Sequence, residues 1–204
     1  MGNKYYAVKE GRNIGVYETW AECESQVKGY SGASYKKFPT YEEAISFINS
    51  NEKAYKEKEI LKLKGNEMVA YVDGSFDKDS KYYSYGAVIF TAEGKEIYSQ
   101  KENDETMVDM RNVAGEIRGA MYAMEQALRK GKDVLYLHYD YVGIEKWATG
   151  EWKTNKDGTR KYKEYYDSIK DKLKVEFEKV KAHSGDKYNE EADKLAKEVL
   201  DIEV

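Results

Sequence analysis

The order of sequence signals predicts an α/β protein, a five-stranded mixed sheet with flanking helices preceded by a small ββαβα (α+β) module. Three observations carry that prediction. Beyond residue 68 the strand and helix signals run βββαβαβα, the order of a sheet that begins antiparallel and ends in parallel crossovers. Within it, "DVLYLHYD" (133–140) is a nearly continuous apolar run, as expected of a strand buried on both faces. Ahead of it, "SNEKAYKEKEILKLKGN" (50–66) has few large apolar residues and many alternating charges, as a solvated linker has. The expected divisions of the 204 residues are therefore 1–50, a charged linker 51–67, and 68–204.

The first module reads as two short strands, "KYYAVK" (4–9) and "NIGVYE" (13–18), around the loop "EGRN". "TWAECESQVKG" follows as a helix capped by Thr19, with Glu22 as capping-box partner and Gly29 as stop. "ASYKKF" is a third strand, and "PTYEEAISFINS" a second helix capped by Thr40. In the larger region, strands are expected over 68–73, 83–91 and 94–101, with "AEG" as a tight turn. A helix over about 112–130, capped by Asn112 and ended by Gly131, comes next. After the strand 133–140 come a short helix (142–149), a basic loop and a helix over about 160–172. The strand "KVEFEKV" and the terminal helix "NEEADKLAKEVL" complete the order.

Composition narrows the function classes. The chain is 35% charged and 41% hydrophobic, with 20 tyrosines and a net charge of −4. No stretch approaches the ~20 apolar residues of a membrane span. "MGNKYYAVKEG" lacks the apolar segment of a signal peptide. The single cysteine, Cys23, excludes an internal disulfide framework and a cysteine-based zinc site. A soluble cytoplasmic protein is expected. The charge is unevenly spread: "EWKTNKDGTRKYK" (151–163) holds five basic residues against two acidic. Such a strip on an acidic body can follow a phosphate backbone, because charge interactions decay over ~8–10 Å at physiological salt.

Four acids and one histidine attract chemical attention. Asp73, in "YVDGSF", and Asp140 each end a strand. If those strands are parallel neighbours, both carboxylates emerge at the carboxyl edge where α/β folds place ligands. Taken alone, Asp73 also fits an Asp-Gly turn and Asp140 a helix cap. Glu116 shares a flank with Val113, Ala120 and Ala123 of an amphipathic helix, so it points inward, where a lone carboxylate is costly. The small-residue row Gly115, Gly119 and Ala123 lets that helix lie close to the sheet. Asp193 lies beside Ala192, Leu195 and Ala196; alone, it also reads as a first-turn acid favoured by the helix dipole. His183 sits in a Ser-Gly loop where packing does not explain it. Together these groups form a hard, oxygen-rich set suited to two Mg²⁺ ions, with Mn²⁺ as a substitute. Two such ions activate water and stabilise a leaving oxygen in phosphodiester hydrolysis.

"YVDGSF", "RNVAGEIRGAMYAMEQAL", "LYLHYDYVGIEKW" and "VKAHSGDKYNEEADKLA" stand in the order and spacing of a type 1 ribonuclease H, which residues 68 to about 200 resemble. The resemblance implies the ribonuclease H fold, metal ligation by Asp73, Glu116, Asp140 and Asp193, and a His183 that assists proton transfer or product departure. It implies cleavage of the RNA strand of RNA–DNA hybrids, leaving 3′-hydroxyl and 5′-phosphate ends. Residues 5–48 resemble the hybrid-binding module found ahead of this domain in many relatives, with contacts implied at Tyr6, Trp20, Tyr35, Lys36 and Lys37. Aromatic rings stack on a DNA strand while lysines hold its phosphates. Tyr6 and Trp20 also suit the core of so small a module. Ser34 stands where relatives often carry a basic residue, which implies weaker hybrid affinity.

The larger region departs from the family pattern too. Arg111-Asn112-Val113-Ala114-Gly115 replaces a more polar stretch, and the long basic protrusion helix is absent, with 151–163 as a shorter replacement. Binding is therefore expected to be shared with the first module. Hybrid recognition requires contact with 2′-hydroxyls in the minor groove, for which backbone groups near Gly74 and Ser75 and the side chain of Asn112 are the candidates. A pocket for a DNA phosphate is assigned to Arg111, Thr154 and Asn155, with Trp152 stacking. No membrane and no obligatory protein partner are implied, and a monomer is expected. Two alternatives remain open: another nuclease of the same fold, or a hybrid-binding protein with a decayed nuclease.

Overall fold

The computed structural model describes residues 4–48, 60, 62–180 and 186–202. The chain divides into two compact units, one built on the first module and one on the larger region.

In the first unit, β1 (Tyr5–Glu10) is the central strand of an antiparallel sheet of order β2-β1-β3, with β2 spanning Gly15–Tyr17 and β3 Ser34–Phe38. Helix α1 (Trp20–Val27) starts at a complete capping box, Thr19 with Glu22. Its Cys23 and Val27 bury Val8 on one sheet face. The second helix, α2, covers residues 41–48, and ring contacts Tyr5–Tyr41 and Phe38–Phe47 place it on the opposite face. Among the described residues the buried cluster on the α1 face has three members, Val8, Cys23 and Val27, so aromatic contacts at its margins supply much of the packing.

The second unit is a five-stranded sheet of order β6-β5-β4-β7-β8. Strands β4 (Glu67–Phe76), β5 (Tyr83–Thr91) and β6 (Gly94–Glu102) are antiparallel neighbours; β7 (Val134–Tyr139) and β8 (Lys174–Lys179) continue in parallel beyond β4. Helices α3 (Asn112–Arg129), α4 (Gly143–Thr149) and α5 (Asp157–Ile169) cover one face around Ile117, Met124, Ile144 and Tyr162. Helix α6 (Lys187–Glu198) covers the other, over Tyr71, Val88 and Phe90. The sheet is thus the middle of three layers, as the predicted class requires.

Glycines set how closely these layers approach. A Cβ at Gly115 would overlap the Ser84 carbonyl oxygen, and one at Gly74 would overlap the Asn112 carbonyl and the Glu116 amide nitrogen. On the far face, a Cβ at Gly86 would overlap the Ala192 carbonyl of α6. Helices therefore press on β4 and β5 from both sides at the level of Asp73, which pairs with Gly86.

Several sequence expectations are corrected. Strand β4 does not end at Asp73 but continues to Phe76, because β5 offers partners as far as Tyr83. Its parallel pairing with β7, however, stops at Tyr71–His138. The Asp-Gly pair is therefore no turn; the chain reverses at 77–82, where the Asp77 carboxylate accepts the amides of Asp79 and Ser80. Asn112 is the first helical residue of α3 and not its cap, a position taken by Arg111 at φ 56° without a side-chain cap bond. Strand β7 alternates: Leu135, Leu137 and Tyr139 are buried, while Val134, Tyr136 and His138 are half-buried, because α6 covers their face less fully. Helices α5 and α6 begin at Asp157 and Lys187, earlier than their apolar periodicity indicates.

Candidate active site

Strand register explains how two distant carboxylates meet. Tyr71 of β4 lies opposite His138 of β7, so two residues further on Asp73 and Asp140 lie at the same level, just past the end of the parallel pairing. Asp140 is not a helix cap, since α4 is preceded by Val142, which makes no side-chain cap bond. Helix α3 brings Glu116 to the same place, held against β4 by the close approach at Gly74. Carboxylate oxygens of Asp73, Glu116 and Asp140 all lie within 4.8 Å of one another.

The site is largely buried, with Asp140 half-exposed, and is electrostatically unbalanced. Asp73 is 8% and Glu116 4% exposed. Burial, then the charges of Asp140 and Asp73, push the Glu116 carboxyl up to about 9. Burial and the Asp140 charge push Asp73 up to about 7, against the Gly74 amide, which donates to its Oδ1 at 2.7 Å. Glu116 Oε2 is buried and has no hydrogen-bond partner among the described residues. Three carboxyl groups this close leave a negative cavity that either holds protons or takes a cation.

Asp193 stands just outside the trio. It lies in the middle of α6, not in its first turn, and its Oδ2 accepts from Lys197 Nζ at 2.7 Å. Its charge reaches Asp73, pushing that carboxyl up while Lys197 pulls it down. Asn189, one turn earlier on the same helix, is buried and donates Nδ2 toward Asp73 Oδ2 at 3.5 Å. Sequence reasoning missed Asn189 and Lys197, although their spacing of four residues on either side of Asp193 puts all three on one helix flank. His183 lies outside the described residues.

The expected substrate contacts surround this centre unevenly. Gly74 and Ser75 extend β4 beyond Asp73, and Asn112 is exposed at the start of α3. Arg111 precedes it in the left-handed region, a backbone conformation that costs a non-glycine residue roughly 1–3 kcal/mol. Trp152 is 42% exposed and stands edge-on to Trp147 at 5.9 Å, which in turn meets Tyr141 at 5.7 Å. Asn155 lines a cavity with Tyr141 and Trp147, whereas Arg111 and Thr154 are not part of its wall.

In the first unit, strand alternation sorts the implied contacts. Tyr6, Trp20 and Tyr35 form one row of tilted rings, with centroids at 5.8 and 5.7 Å; Tyr6 is half-buried against Val8, Cys23 and Val27, and Lys37 Nζ lies 6.0 Å from its ring. Trp20 at 43% and Tyr35 at 46% exposed are a surface and not core. Lys36, one residue along β3, lies on the opposite face over Phe38.

Comparison with known proteins then decides the family. The family described as "RNase H" matches residues 65–201, and that described as "Ribonuclease H1 N-terminal domain" matches residues 4–48. The chain belongs to the ribonuclease H family. It is 31% identical over 166 residues to a ribonuclease H of Schizosaccharomyces pombe, covering 76% of this chain and 62% of the relative. Over 48 residues it is 59% identical to a ribonuclease H of Saccharomyces cerevisiae, covering 24% of this chain and 14% of the relative. The chain thus spans less than two thirds of either fungal protein. The crystal structure of the ribonuclease H1 of Halobacterium salinarum covers 66% of the chain and 98% of its own length at a TM-score of 0.53 and 24% identity, a likeness of fold.

For a ribonuclease H, the acidic trio fits a divalent metal centre on its own chemistry. All the converging donors are hard carboxylate oxygens, and buried Glu116 Oε2 lacks any other partner among the described residues.

Proposed function

We propose that the chain is an endoribonuclease that hydrolyses the RNA strand of RNA–DNA hybrids. The convergence of Asp73, Glu116 and Asp140, with a buried oxygen of Glu116 open to a cation, carries this reading. Asp73, Glu116 and Asp140, joined by Asp193, would hold two Mg²⁺ ions. Bound there, those ions would supply an activated water and charge stabilisation for the leaving 3′ oxygen, giving 3′-hydroxyl and 5′-phosphate ends.

The chain's own residues do the rest. Asn189 orients the Asp73 carboxylate, and Lys197 holds Asp193 in place on α6. Asn112 and the backbone of Gly74 and Ser75 face the minor groove, where 2′-hydroxyls mark the RNA strand. Trp152, beside Trp147, offers a stacking surface at the basic segment. His183 assists proton transfer or departure of the product. The row of Tyr6, Trp20 and Tyr35, with Lys37, binds the DNA strand of the same hybrid.

One assay tests the reading. Labelled RNA–DNA hybrid, single-stranded RNA, duplex RNA and duplex DNA are incubated with Mg²⁺ or with a chelator. Cleavage confined to the RNA of the hybrid, dependent on Mg²⁺ and leaving 5′-phosphate ends, is the expected result. Cleavage of duplex DNA points to a different nuclease on the same fold, and tight hybrid binding without cleavage to a decayed one.

A further inference from the structure

Ser84 of β5 is fully buried at the level of the candidate centre, where it pairs with Ser75, two residues past Asp73. It touches both helices that carry acids. Its backbone carbonyl fills the space that a side chain at Gly115 of α3, the residue before Glu116, would need. Its hydroxyl, on the other face of the sheet, donates to the Ala196 carbonyl of α6 at 2.6 Å. A carbonyl within a helix ordinarily accepts the amide four residues on. As α6 ends, the Leu200 amide bonds to the Lys197 carbonyl at 3.0 Å, and the Ser84 hydroxyl gives the Ala196 carbonyl its donor. A strand residue thus completes the hydrogen bonding of a helical residue 112 positions away.

Two contacts with β5 bracket Asp193 on α6. On one side Ala192 lies over Gly86, where its carbonyl leaves no room for a Cβ; on the other Ala196 is tied to Ser84. Around them α6 meets the sheet through the apolar cluster of Val88, Phe90, Ala192 and Leu195. Apolar packing is non-directional, so it resists separation of the layers more than it fixes where the helix sits along the strands. A hydrogen bond fixes that position, because it weakens steeply away from its preferred distance and angle. We propose that Ser84 is a positioning residue for the metal centre: its hydroxyl sets where α6 stands on the sheet, and so whether Asp193 reaches the ion held by Asp73, Glu116 and Asp140. This assignment rests on the metal-dependent function proposed above. Small divalent ions take their oxygen ligands within narrow distance limits, so a slight shift of α6 is felt by a carboxylate that it carries.

Loss of the hydroxyl also leaves a buried carbonyl without its donor and lowers stability, as loss of any such bond does. The readout is therefore ion affinity, measured by calorimetric titration of Mn²⁺ into the full chain without nucleic acid. Compared are the unmodified protein, Ser84→Ala, Asp193→Asn and the two substitutions together. Ser84→Cys, which nearly keeps the volume and weakens the donor, takes the place of Ser84→Ala if that variant does not fold. Tyr162→Phe is the control: it removes another buried hydroxyl, which donates to the Ile144 carbonyl at 3.0 Å on the opposite face of the sheet. Ser84→Ala is expected to weaken Mn²⁺ binding by about tenfold, the low end for loss of a group that supports a metal ligand. Tyr162→Phe should lose stability and keep its affinity. In the Asp193→Asn background, Ser84→Ala should change the affinity no further. Parental affinity in the folded Ser84 variant overturns the proposal, as does the same loss with and without Asp193, or the same loss in Tyr162→Phe. Parental affinity in Asp193→Asn overturns it too, because Asp193 would then be no ligand. If the unmodified chain takes up no Mn²⁺, the metal-centre reading falls, and the assignment of Ser84 falls with it.

Discussion

Asp140 is the residue on which the catalytic reading is most exposed to test. Asparagine keeps its volume and removes its charge, so Asp140→Asn should lower cleavage by at least about 10²-fold, the scale for loss of one electrostatic stabiliser. Hybrid binding and the melting temperature should stay near those of the parent; cleavage at the parental rate with Mg²⁺ would remove Asp140 from the centre. The protonation of the trio gives a second prediction. Glu116 and Asp73 are raised from 4.5 and 3.8 to about 9 and about 7. The ion-free folded state therefore keeps protons that the unfolded chain releases. That contribution is complete below about pH 4 and is lost as pH rises through 7 to 9. In a chelator, the melting temperature should fall between pH 5 and pH 9. Mg²⁺ should restore it most at the alkaline end, and Glu116→Gln should flatten the chelator profile. Thermal melts of both proteins decide it, and an unchanged slope in Glu116→Gln would place the pH dependence elsewhere.

At the scale of elements, the site depends on how tightly α3 lies on β4 and β5. Gly115 leaves no room for a side chain because a backbone carbonyl, that of Ser84, occupies the space, and a backbone atom cannot swing aside as a side chain can. Gly115→Ala should cost about 1–3 kcal/mol or more, as overpacking does. Gly119 has Val72 and Tyr85 side-chain atoms at 3.2 and 3.3 Å, so Gly119→Ala should cost less. Chemical denaturation of the two variants measures the difference, and equal stabilities would mean that helix and sheet are less closely held. Because Glu116 follows Gly115 directly, Gly115→Ala should also lower activity, while Gly119→Ala should lower it little. The small-residue row was legible as a sign of close packing. Which atom it met was not, since the partner strand comes from elsewhere in the chain.

For the molecule as a whole, the proposed function divides binding and cleavage between the two units. Every acid of the candidate centre lies in the second, and the exposed rings of Trp20 and Tyr35 in the first. Removal of residues 1–50 should leave a Mg²⁺-dependent nuclease with weaker hybrid affinity and a shallower salt dependence, because Lys37 no longer contributes a phosphate contact. Trp20→Ala in the full chain should weaken binding by about 1–3 kcal/mol, the worth of one stacked base. Affinities measured with Ca²⁺ across a salt series check both; identical values for the three proteins would show that the first unit takes no part in binding. The sequence by itself determined the layered α/β class, the order of the strands and the acids worth watching. These follow from local periodicity, capping residues and the cost of an inward-facing carboxylate, all of which are written along a few turns of chain. Only the tertiary structure decided that Asp73 lies inside its strand while the parallel pairing ends before it. It alone brought Glu116 of α3 against Gly74 of β4, and set Asn189 of α6 on the Asp73 carboxylate. Those are relations between segments far apart in sequence, fixed by register and by the close approach of helices to the sheet, and no local pattern encodes them.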